Sequence, residues 1–103
     1  MGEEETKIQR QIKDYLEYAG YKVYRMNAGR AKKNVVGAPA GTPDLLSISP
    51  KGRHLWIEIK TEEGVLSGVQ ASEHRDLIRR GDSVIVARSV EDVEIILNGN
   101  GHV

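Results

Sequence analysis

Asp44, Glu58 and Lys60 are the residues of this sequence whose types and spacing can do chemistry together. Residues 43–49 and 53–59 read as strands, and Pro50-Lys51-Gly52 between them is good turn chemistry. In a hairpin closed by that three-residue loop, Ser49 pairs with Arg53 and Asp44 falls directly opposite Glu58. Opposed residues on antiparallel strands hold their Cβ atoms roughly 4.5–5.5 Å apart. Alternation along the strand puts Trp56, Glu58 and Lys60 on one face and Leu55, Ile57 and Ile59 on the other. The two acids and the lysine then converge at one end of the hairpin. Two carboxylates that close repel unless a cation stands between them. Mg²⁺, which takes one or two carboxylates plus waters and phosphate oxygens, meets that need. Such an ion polarises a phosphodiester, and Lys60 would orient the attacking water or offset charge on phosphorus. The plainer alternative is a cross-strand charge cluster in which Lys60 only neutralises Glu58.

The surrounding pattern supplies elements to carry this patch. Over residues 3–19, Ile8, Ile12, Tyr15, Leu16 and Ala19 recur at helical spacing, and Gly20 gives a stop. Residues 21–26 alternate and are rich in strand formers. Residues 27–42 form a long basic loop with Gly29, Gly37, Pro39 and Gly41, of a length that is usually functional or disordered. After a turn at 61–66, a second helix spans 67–80 and ends at Gly81. A buried-looking strand follows at 83–88, then a short helix from a Ser89 cap through Leu97, and a frayed tail. The predicted order is α-β-β-β-α-β-α, an α/β fold with a small mixed sheet flanked by helices. The segment between 53 and 88 is long enough for a parallel crossover.

At 103 residues the sequence suits a single domain. It has no cysteine, which excludes disulfides and Cys-based zinc sites. Neither an apolar run of membrane-spanning length nor a basic-then-apolar leader is present, so a cytoplasmic protein, bacterial or phage-encoded, without membrane partners is expected. The 15 basic and 15 acidic residues cancel, but they are unevenly spread. Lys22, Arg25, Arg30, Lys32 and Lys33 occupy a stretch free of acids, and Arg75, Arg79 and Arg80 lie together in the second helix. These are candidate DNA-backbone contacts, or else ordinary solvated charge. His54, His74 and His102 show no metal-ligand spacing. Residues 37–41 are glycine-rich but lack the ending of a phosphate-binding P-loop.

Gly41-Thr42-Pro43-Asp44, then Trp56-Ile57-Glu58-Ile59-Lys60, then Leu66-Ser67 and Gln70, together with Glu5-x-x-Ile8-Gln9 at the start, resemble the virus-type replication–repair nuclease (VRR-NUC) domain. The likeness covers nearly the whole chain and shows no departure in the central motif. It implies the PD-(D/E)XK, restriction-endonuclease-like core. It also implies a Mg²⁺- or Mn²⁺-dependent DNA endonuclease, with Asp44, Glu58 and the Ile59 carbonyl on the metal and with Lys60 and Gln70 assisting. The resemblance further brings an acid at the start of the first helix toward the metal. Glu5 matches best, with Glu4 as fallback, although an acidic first turn also suits the helix dipole. Gln70 has a second reading too, because Ser67-x-x-Gln70 is a capping-box pattern. Small stand-alone members of the family imply a homodimer acting on branched DNA, chiefly four-way junctions. Tyr18, Tyr24 and Trp56 are candidates for the dimer interface as well as for core packing. The rival readings are a flap, linear-duplex, restriction-type or RNA target for the same chemistry, and an inactive nucleic-acid-binding or interaction module.

Overall fold

The computed structural model describes residues 2–27 and 38–99. Arg30, Lys32 and Lys33, most of the basic loop, and His102 lie outside the described residues. The elements run in the predicted order: α1 (Glu3–Tyr18), β1 (Lys22–Arg25), β2 (Leu45–Ile48), β3 (His54–Ile59), α2 (Gly68–Arg79), β4 (Ser83–Ala87) and α3 (Val90–Gly99). The strands form one sheet in the order β1-β2-β3-β4, antiparallel except for the parallel β3–β4 pair joined through α2. No described helix is long and apolar enough to cross a membrane.

The helical stripe of α1 does what its spacing dictates. Ile8, Ile12 and Leu16 are buried against Leu45, Leu55, Ile57 and Ile59 of the sheet, with Val93 and Leu97 of α3 beside them. Burying each such side chain contributes about 1.5–3 kcal/mol, which is what holds helix to sheet. Gly20, at φ +93°, lets the chain turn out of α1, and Tyr21 is buried behind it with its N–H donating to the Leu16 carbonyl. Tyr21 therefore packs into the core just ahead of β1 instead of opening the strand. Ser47 lies on the same apolar face, and its hydroxyl donates across the ladder to the Leu55 carbonyl at 2.9 Å. α3 continues to Gly99, past the predicted end at Leu97.

The hairpin register is the one set by the turn: Leu45 faces Ile57, Leu46 faces Trp56, Ser47 faces Leu55, and the Ser49 N–H donates to the Arg53 carbonyl. Leu55, Ile57 and Ile59 enter the core, while Trp56 and Glu58 point to the opposite face, which α2 covers. Trp56 is half-buried there, its indole N–H donating to Asp82 at 2.8 Å. It is thus tied to the turn before β4 and is no exposed anchor. Tyr18 and Tyr24 are exposed.

Gly41, in the turn leading to Asp44, sits at φ +87°, and a Cβ there would lie 2.7 Å from the Val69 carbonyl oxygen. Only glycine lets this turn rest against the first turn of α2. Gly41→Ala is expected to cost about 1–3 kcal/mol in denaturant unfolding and to lower activity by displacing Asp44. A variant as stable as the parent would show the close approach to be slack.

Candidate active site

β2 begins where β3 ends, and the end of β1 and the starts of α1 and α2 gather around them. Asp44 precedes β2 and is buried, one pairing step beyond Leu45–Ile57, so it stands opposite Glu58 as the register requires. Its backbone carbonyl accepts from Met26, which prolongs the β1–β2 ladder to the site. Its carboxylate is held twice. Oδ1 accepts from the Asn27 amide at 2.9 Å, and Oδ2 accepts from the Ile59 backbone N–H at 2.7 Å. Glu58, 2% exposed, is also held twice, and both partners come from α2. Its Oε1 is 3.1 Å from His74 Nε2, and its Oε2 is 3.4 Å from Gln70 Nε2.

The electrostatics follow from that crowding. Burial, and then the adjacent Asp44, push the Glu58 carboxyl up to about 8, against the opposing pull of Lys60. Burial also pushes the His74 ring below its ordinary value, so it is neutral at pH 7 and offers one N–H. When Glu58 is ionised, that N–H must be on Nε2 for the bond to form.

Glu5, Asn27, Asp44, Glu58, Ile59, Lys60 and Gln70 line one polar cavity of about 230 Å³. The structure therefore brings together all the residues proposed for metal and catalysis. Glu5 is at the cavity, but its Oε1 accepts from the Gly2 N–H at 3.2 Å, so it also closes the start of its own helix. Gln70 likewise caps its own helix and also faces the cavity. Its Oε1 accepts from Ser67 N–H at 2.9 Å, the Ser67 hydroxyl accepts from Gln70 N–H, and the free amide end reaches Glu58. Gln70→Ala should lose about 1 kcal/mol of stability, as a lost cap does, and should also slow turnover. A stability loss with unchanged turnover would reduce Gln70 to a cap.

The donor set suits a hard divalent ion. Asp44 and Glu58, opposed and buried, would be its two carboxylates; among the described residues no group of three His, Cys, Asp or Glu side chains is placed to hold a metal. Two carboxylates, a backbone carbonyl and water are an oxygen-only set of the kind Mg²⁺ prefers.

The basic candidates are dispersed. Arg25 is exposed at the end of the edge strand, lining a second cavity with Gln9, Arg10 and Lys13 of α1. Arg75 is exposed on α2. Arg79 and Arg80 both pair with Asp76 at 3.0 Å, close to the helix end that precedes β4 and away from the end bearing Gln70. Their charge is thus partly spent within the helix, and the structure does not bring them to the cavity.

Three contributors were not singled out by sequence reasoning. His74 lies four residues after Gln70, on the same helical face, which is a signal that the spacing contains. Asn27 had none, because too long a stretch of chain separates β1 from β2 for a turn to fix their register. Arg88 had none either. Its Nη1 donates to the carbonyls of Thr61, Glu62 and Gly64, tying down the turn that follows Lys60.

No protein-family model matches the chain, and a search of curated proteins found no match. Solved structures do match. One described as "VRR_NUC domain" superposes with a TM-score of 0.77 at 26% identity, covering 96% of this chain and 99% of its own. Another, a "VRR_NUC domain protein", gives a TM-score of 0.67 at 21% identity, covering 99% of this chain and 92% of its own, and speaks to the fold alone. Fold and element order agree with the resemblance read from the sequence, and this likeness supports a VRR-NUC domain and, in general terms, a nuclease.

Proposed function

We propose that the chain is a Mg²⁺- or Mn²⁺-dependent DNA endonuclease that resolves four-way junctions as a homodimer in the cytoplasm. The observation that carries the chemical part is the buried, opposed pair Asp44 and Glu58, lining one polar cavity with Lys60. Asp44, Glu58 and the Ile59 carbonyl would hold the cation, with Glu5 supplying further negative charge from α1. Once bound, the cation would supply Lewis-acid polarisation of the scissile phosphodiester.

The chain's own groups do the rest. Asn27 and the Ile59 N–H keep the Asp44 carboxylate from rotating, and α2 does the same for Glu58. Lys60 carries three donors and no acceptor, so it orients the attacking water or offsets charge gathering on the phosphate oxygens. Arg25 and Arg75, with Arg30, Lys32 and Lys33 of the loop, are the candidate backbone contacts; Arg79 would serve a strand reaching the far end of α2. Such contacts give affinity without sequence choice. The junction and dimer parts rest on the family resemblance and on one symmetry argument. A two-fold dimer presents two sites to symmetric strands, and exposed Tyr18 and Tyr24 are available to an interface.

The test is cleavage of matched four-way junction, flap, linear duplex and RNA substrates with Mg²⁺, Mn²⁺ or EDTA, alongside light scattering. A dimer that cuts junctions preferentially, and stops in EDTA, is expected. A monomer that cuts linear duplex equally well would defeat the junction reading and leave the nuclease standing. Nucleic-acid binding without cutting, from a protein that takes up no Mn²⁺, would favour the inactive module.

A further inference from the structure

His74 is the one buried residue of α2. A helix on a sheet ordinarily buries an apolar stripe, yet the inward position here holds an imidazole aimed at a carboxylate. The side chains of His74 and Glu58 are only 8% and 3% exposed, and 3.1 Å separates Nε2 from Oε1. Burying polar groups carries a cost unless they are bonded, and these two are bonded to each other. Glutamate has three side-chain torsions, and its carboxylate can swing unless it is held. The Gln70 amide is the longer of its two tethers at 3.4 Å, and its Oε1 is committed to Ser67. The imidazole is the shorter, and its ring has only two torsions to fix.

We propose that His74 is a positioning residue, whose Nε2 holds the Glu58 carboxylate in the orientation that faces Asp44 and so completes the divalent-ion site. This rests on the metal-nuclease reading above. Carboxylates that ligate metals are themselves commonly held by such outer hydrogen bonds, and losing one typically costs about 10–100-fold in metal affinity.

The experiment is a Mn²⁺ titration of the full chain, followed by the electron paramagnetic resonance of the free ion. His74→Leu keeps the bulk without a donor. His74→Asn has a donor too short to reach, and His74→Gln carries its amide nitrogen near the place of Nε2. Leu and Asn should each weaken Mn²⁺ binding by about 10–100-fold, and Gln should restore it to within a few-fold of the parent. Cleavage by the Leu variant should recover as Mn²⁺ is raised, because the defect is in occupancy and not in turnover. All variants should keep a cooperative melt. A folded Leu variant that binds Mn²⁺ like the parent, while Glu58→Gln does not, would overturn the proposal and leave the metal site intact. If the Leu variant fails to fold, equal Mn²⁺ affinity for Asn and Gln would overturn it instead. A parent protein that binds no Mn²⁺ would remove both this proposal and the nuclease reading.

Discussion

Glu58→Gln and Asp44→Asn are each expected to abolish cleavage, but to move stability in opposite directions. Both remove a charge that the proposed cation needs. In the metal-free protein Glu58 has its carboxyl pushed up from 4.5 to about 8 by burial and by Asp44. Between those values the folded chain holds a proton that the unfolded chain has released. The metal-free protein must therefore lose stability as pH rises through that window. Glutamine carries no such proton, so Glu58→Gln should flatten the slope and melt higher than the parent near pH 8. Asp44 is different because each of its oxygens already accepts from a protein donor, Asn27 on one and the Ile59 N–H on the other. An asparagine has a single acceptor oxygen, so one donor would be left facing an amide N–H. A loss of about 1–3 kcal/mol is expected from that unsatisfied group. Melting curves from pH 5 to 9 in EDTA, paired with cleavage assays in Mg²⁺, check both statements. Substantial cleavage by either variant would sink the assignment of the carboxylates.

Lys60→Ala should lower turnover by about 10²–10³, the usual size for one positioned electrostatic group, with Mn²⁺ affinity near that of the parent. Lysine has no lone pair to give when charged, so it is not a ligand. Because Lys60 also pulls the Glu58 carboxyl down, the comparison is made at saturating Mn²⁺, where a ligating carboxylate is held ionised by the metal. The side chain is half-buried, passing close to Gly64, and a modest loss of stability can accompany the change. If activity were lost only together with the cooperative melt, Lys60 would be a structural counter-charge.

Much of this was legible beforehand, and the reason is local. A three-residue turn fixes a hairpin's register, and the register alone sets Asp44 against Glu58. Strand alternation then decides which side of β3 is apolar. Contributions from distant segments were not legible in this way. Gln70 was ambiguous because its spacing from Ser67 describes a cap whether or not its far end touches anything. His74 looked like an isolated histidine, since its partner lies 16 residues earlier on a strand whose packing against α2 no local pattern encodes. Composition marks the cationic residues but not their pairing. Arg79 and Arg80 read as a basic patch, but Asp76, three and four residues before them, takes up part of their charge.

The guanidinium of Arg88 fastens the turn after Lys60 from 24 to 27 positions further along the chain. Synthesis runs the other way. The backbone following the lysine is secured only once β4 has docked beside β3. It follows that a truncated or nascent chain would own the acid pair without a fixed lysine.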